Sequence, residues 1–100
     1  MVSLGLLIHM KARPGREHEV RQFLASAPQL VADETGTPYL FSMRFGDGSF
    51  GIVNAFPDEA ARQRHIGGHA AQALSELAAA ALDEPPTVEP FDIVAAKPSS

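Results

Sequence analysis

The chain has 100 residues, 45% of them hydrophobic and 20% charged, which suits one globular core and excludes a disordered or fibrous chain. Twelve acidic against eight basic residues give a formal charge of −4, and the bases form no stripe, so nucleic acid is not an expected partner. Cysteine is absent, which removes disulfides and thiolate chemistry, and no run approaches the roughly 18 apolar residues of a membrane span. The start lacks the basic region and long apolar core of a leader, so the expectation is a cytoplasmic protein with a single domain over residues 1–100.

Taken in order, Leu4–Lys11 is apolar and rich in branched side chains, and Arg13-Pro14-Gly15 punctuates its end, which reads as a strand opening into a helix. From Arg16 the apolar positions Val20, Phe23, Leu24, Ala27, Leu30 and Val31 recur at spacings of three and four, the stripe of an amphipathic helix. Pro28 removes one ladder donor near its end, and Glu34-Thr35-Gly36 supplies the stop.

Two apolar runs, 37–46 and Ser49–Phe56, flank Asp47-Gly48, the dipeptide suited to a two-residue hairpin turn with positive φ at both positions. That turn implies a register pairing Phe45 with Phe50, Met43 with Ile52 and Phe41 with Asn54. Tyr39, Phe41, Ile52, Asn54 and Phe56 then face the helices. Leu40, Arg44 and Val53, with Leu7 and His9 of the first strand, face the other way. This second face is too apolar for plain solvent, and it predicts a sheet-to-sheet homodimer through Leu7, His9, Leu40, Arg44 and Val53.

Asp58 is placed to cap a helix over 59–65, Gly67-Gly68 interrupts it, and Ala70, Ala73, Leu74, Leu77, Ala78 and Ala81 share one face of a second helical segment over 70–82. After Pro85-Pro86 a last strand covers 87–96, with Pro90 pointing to an edge position or a bulge. The order β-α-β-β-α-β with a central hairpin describes an α+β, ferredoxin-like fold with an antiparallel sheet.

Few residues are candidates for chemistry. Asn54 puts an amide among aromatic side chains; it either orients a ligand oxygen in an apolar pocket or bonds neighbouring backbone. His65 and His69 have the H-x-x-x-H spacing of a metal pair, but Gly67-Gly68 breaks the helix that would align them and no third ligand is near, so no metal is expected. His65 alone can take a proton near neutral pH or simply pack the helix end. Tyr39, Phe41, Phe56 and His69 complete the expected small-molecule site; Tyr39, the only tyrosine, equally reads as core with its hydroxyl at the rim. No phosphate loop or nucleophile elbow is present.

Ala12-Arg13-Pro14-Gly15, Asp33-Glu34-Thr35-Gly36, Phe56-Pro57-Asp58-Glu59-Ala60 leading to His65, and the closing Pro85-Pro86-Thr87-Val88-Glu89 and Asp92-Ile93-Val94-Ala95-Ala96-Lys97 together resemble the antibiotic biosynthesis monooxygenase family. The resemblance covers most of the chain. It implies a dimeric α/β barrel with a pocket between sheet and helices, in which some members oxidise phenols or quinols with O2 and neither metal nor flavin. Haem-degrading relatives carry an asparagine on the first strand where this chain has Ile8, and the tryptophan frequent in the family's catalytic sets is absent here. The resemblance therefore implies a cofactor-free monooxygenase for an aromatic, phenolic or quinol-like molecule, with Asn54 and His65 as catalytic residues. The alternative is a non-catalytic dimeric module that binds a small molecule or supports a pathway enzyme.

Overall fold

The computed structural model describes residues 1–97. Strand β1 (Leu4–Lys11) leads to helix α1 (Glu17–Leu30), the hairpin β2 (Tyr39–Gly46) and β3 (Ser49–Phe56), helices α2 (Glu59–Ile66) and α3 (His69–Ala81), and strand β4 (Thr87–Asp92). The four strands form one antiparallel sheet in the order β2-β3-β1-β4, with the helices on one side. This is the expected ferredoxin-like fold. β4 lies at an edge, which accommodates Pro90 opposite Leu6.

Alternation sorts β1 and β3 as expected. Leu6, Ile8 and Met10 with Phe50, Ile52, Asn54 and Phe56 lie buried beneath the helices, while Leu7, His9 and Val53 lie on the opposite, open face. The buried apolar residues separate into two clusters along β3. One is built on Ile8, Phe50 and Ile52 with Val20, Leu24 and Leu77, the other on Leu6, Phe56 and Ala61. Asn54 stands between Ile52 and Phe56, at the seam.

The hairpin departs from expectation by one residue, and that reverses a whole strand. Gly48 has φ 77° but Asp47 does not share a positive φ, so the turn is not the kind that requires both. Gly46 pairs with Ser49 and Arg44 with Phe50, which leaves Phe45 as a bulged extra residue. Upstream of the bulge Phe41 pairs with Val53 and Leu40 with Asn54. Tyr39 and Phe41, expected against the helices, are therefore on the open face, and Leu40 and Arg44, expected on the open face, are on the helix side. A slip of one residue exchanges faces because side chains alternate with period two. The Phe45 ring is accommodated over Gly51 and stacks on His9, centroids 4.8 Å apart and ring planes nearly parallel.

Ser42, reversed by the same bulge, completes the end of α1. Pro28 has no N–H to offer the Leu24 carbonyl one turn back, and Ser42 Oγ donates to that oxygen at 2.8 Å instead. At the other end of the helical layer Arg13 donates to the carbonyls of Ala80 and Leu82, satisfying acceptors at the C-terminus of α3. Asp58 caps α2 as expected, its Oδ1 accepting from Ala61 N at 2.8 Å.

Candidate functional site

The site begins with one polar side chain in an apolar row. Asn54 is 1% exposed, flanked by Leu6 on β1 and Leu40 on β2. Burying an amide this deeply requires hydrogen bonds. Its Nδ2 lies 2.7 Å from Nε2 of His65, in the last turn of α2. The imidazole is 6% exposed, with the wholly buried ring of Phe56 tilted against it at 5.3 Å. On its far side Nδ1 lies 2.8 Å from Oε1 of Glu34, which also accepts from Thr37 Oγ1 at 2.8 Å.

Glu34 arrives from the turn after α1. Backbone bonds from Glu34 N to Val31 O and from Thr37 N to Glu34 O fold that segment. Gly36 lets it press on α2, since a Cβ there would sit 3.0 Å from the Ala61 Cβ. Two small residues at the contact thus bring the carboxylate to the histidine.

Donor and acceptor rules fix the order of the chain. An amide nitrogen only donates, so His65 Nε2 must accept, and the ring proton of the neutral imidazole resides on Nδ1, where it donates to Glu34. A carboxylate in this position holds the tautomer and the ring orientation. Asn54 Oδ1 then has no partner, and it is the one buried side-chain polar atom of the described residues in that condition. Leaving such an atom unmade costs about 1–3 kcal/mol.

Asn54 and His65, with Ser75 of α3, form the polar part of the wall of a cleft of about 400 Å³ between sheet and helices. The sheet contributes Leu6, Ile8, Leu40, Ile52 and Val88; α1 contributes Phe23, Ala27 and Leu30. Ala70, Ala71, Leu74 and Ala78 of α3 line the opposite side, where small residues leave the space open. A mostly apolar hollow of this size with a few polar groups in its wall is the usual form of a small-molecule site.

The cleft gathers only part of the expected set. Asn54 and His65 come together, in direct contact. Phe56 supports the imidazole from the second core cluster, and His69, exposed at the start of α3, lies with Asp33, Glu34 and Arg64 in an outer polar groove. Tyr39 and Phe41 are on the far side of the sheet. Leu7, His9 and Val53 are on the open face with them; Leu40 lines the cleft, and Arg44 lies beside Arg21 and Leu24 along α1. Among the described residues no group of three or more potential metal-binding side chains occurs. In the sequence Glu34 belongs to a helix stop and to one of the segments that carry the family resemblance, with no sign of a role in the site. Its contact with His65 spans 31 residues, and no local spacing announces it.

No protein-family model matches the sequence, and no match is found among curated proteins. A solved structure of a protein of unknown function from Nitrosomonas europaea is 42% identical, with the alignment covering 100% of this chain and 97% of that one at a TM-score of 0.94. The chain belongs to that protein's family. Its fold is that of the antibiotic biosynthesis monooxygenases: a protein from Caulobacter crescentus provisionally given that name is 18% identical over 94% of this chain and 92% of its own, TM-score 0.79. A second so named, from Bordetella bronchiseptica, is 17% identical over 95% and 100%, TM-score 0.76. The family resemblance read in the sequence thus holds at the level of fold. No helix is long and apolar enough to cross a membrane among the described residues.

Proposed function

We propose that the protein is a monooxygenase that acts without a cofactor on a small phenolic or quinol-like molecule, as a homodimer. The observation that carries this reading is an apolar cleft bordered by Asn54, whose Oδ1 is buried without a partner. An acceptor held there matches a ligand that is mostly hydrocarbon and brings one hydroxyl, and such a ligand would repay the unmade hydrogen bond. Once the hydroxyl proton is withdrawn, the electron-rich ring itself reduces O2. A phenol becomes a quinone, one oxygen atom entering the ring and the other leaving as water with the two hydrogens the substrate loses. Asn54 orients the substrate, His65 accepts the proton, and the apolar walls keep bulk water from the charged intermediate.

The homodimer is proposed from the open face of the sheet. Phe41 is 60% exposed, Tyr39 and Phe45 are also exposed, and Leu7, Val53 and Phe91 lie on the same side. An antiparallel sheet facing solvent ordinarily shows polar side chains there. An aromatic row in their place supports burial against a second copy.

One feature favours the binding-module reading instead. The lone pair of His65 Nε2 is already engaged by Asn54 Nδ2, so no free base faces the cleft in this arrangement. Oxygen uptake on a panel of phenols and hydroquinones, run beside a thermal-shift binding screen, separates the two. Turnover that falls at least tenfold in Asn54→Ala is expected. Compounds that bind but consume no oxygen would replace the enzyme with the module.

A further inference from the structure

We propose that Asn54 is a reversible amide whose orientation follows the proton on His65, with Glu34 as the positioning residue that makes the transfer favourable. The proposal rests on the phenol-binding reading above and deepens it by resolving how a covered base can act. The two ends of an amide are nearly equal in size, so turning Asn54 over exchanges Oδ1 for Nδ2 with little steric change. In the observed orientation Nδ2 donates to a bare Nε2, and Oδ1 lies buried and unpartnered in a residue that borders the cleft. In the reversed one Oδ1 accepts from a protonated Nε2 and the cleft meets a donor. The first suits a ligand hydroxyl and the second suits its oxyanion.

The proton balance follows. The ligand O–H bond breaks, its electron pair stays on oxygen, and the proton forms the Nε2–H bond while the amide turns. The amide is bonded at both ends after the transfer as before. The new imidazolium is paired through Nδ1–H with the Glu34 carboxylate at 2.8 Å. Glu34 is 26% exposed and borders the outer groove, so the ion pair sits at the wall and not in the apolar cleft. The charged and titratable groups around His65 are Glu34 and Asp33 from the turn after α1, Arg64 on α2 and His69 on α3. From the sheet it meets only neutral Asn54 and Phe56. Of these groups Glu34 alone contacts the ring as a charge.

The test uses the full chain with two probes, 4-nitrophenol, whose anion is coloured, and 4-nitroanisole, which has the same ring and no acidic proton. Imidazole ¹⁵N spectra of the free protein should show His65 protonated on Nδ1 and bare on Nε2. In buffer mildly acidic relative to the phenol, bound 4-nitrophenol should protonate Nε2 and develop anion colour, while 4-nitroanisole should bind and do neither. Glu34→Gln should leave 4-nitroanisole affinity within about twofold and cut the bound anion fraction about ten- to a hundredfold, the loss of a charge-assisted hydrogen bond. Thr37→Val removes a donor from Glu34 but keeps its charge, so the anion fraction should rise, a direction that structural damage does not produce. If 4-nitrophenol binds while Nε2 stays bare, or if neither substitution moves the anion fraction, the switch is wrong and phenol binding stands. If neither probe shifts the resonances of Ile52 and Leu74, both readings fail.

Discussion

Ala71 lines the cleft from α3 and is half-buried, outside the packed clusters, so a larger side chain there fills the hollow without displacing core. Ala71→Leu adds three carbons. At about 0.8 kcal/mol per buried methylene, full burial would contribute roughly 2.4 kcal/mol, and at a half-buried position about half of that. Leucine is nearly as good a helix former as alanine, so the backbone adds little of either sign. A gain of about 1 kcal/mol corresponds to a rise in Tm of roughly 4–8 °C for a domain of this size. In a filled core the same substitution would instead force overpacking and cost about 1–3 kcal/mol. Thermal unfolding of the two proteins distinguishes these signs directly. Titration with 4-nitroanisole should show at least a tenfold loss of affinity in the stabilised variant. A lower Tm, or unchanged probe binding, would refute the reasoning that places an open ligand cleft beneath α3.

Three further outcomes are expected. Ser42→Ala should cost about 0.5–1.5 kcal/mol in denaturant unfolding, and markedly less in a Pro28→Ala background, where residue 28 regains the N–H that serves the Leu24 carbonyl; equal costs in both backgrounds would break that link. Light scattering should show the proposed homodimer for the parent protein and a monomer for Phe41→Glu, with probe binding in the cleft intact, because the side chain projects from the opposite face of the sheet. The Glu59 carboxyl is held below its ordinary 4.5, first by the hydrogen bond from Arg62 and then by that from Gln63. A lowered carboxyl value means stability that is present above the ordinary value and lost as pH falls through the folded one. The Tm deficit of Glu59→Gln should therefore be small at neutral pH, as for any exposed pair, and shrink on acidification.

The two halves of the site differ in how far they were legible. Asn54 could be found because β3 alternates without interruption from Phe50 to Phe56, and an amide in that row stands out against its neighbours. His65 could be found from its H-x-x-x-H spacing with His69 and from the family resemblance of the segment that leads to it. Their direct contact and the Glu34 carboxylate behind them could not, since the three residues come from separate elements and meet only when Gly36 packs on Ala61.

Composition and periodicity determined the order of elements, the edge position of the proline-bearing last strand and the inward rows of β1 and β3, all of which rest on local spacing. The faces of β2 were decided in three dimensions. A single bulged residue, Phe45, leaves local alternation intact and changes only the register against β3, so Tyr39, Phe41, Leu40 and Arg44 exchanged sides without any change in their own sequence pattern. Register is fixed by the turn actually formed and the bulge beside it, and the room that the extra ring occupies, over Gly51 and against His9 of β1, exists only in the folded sheet.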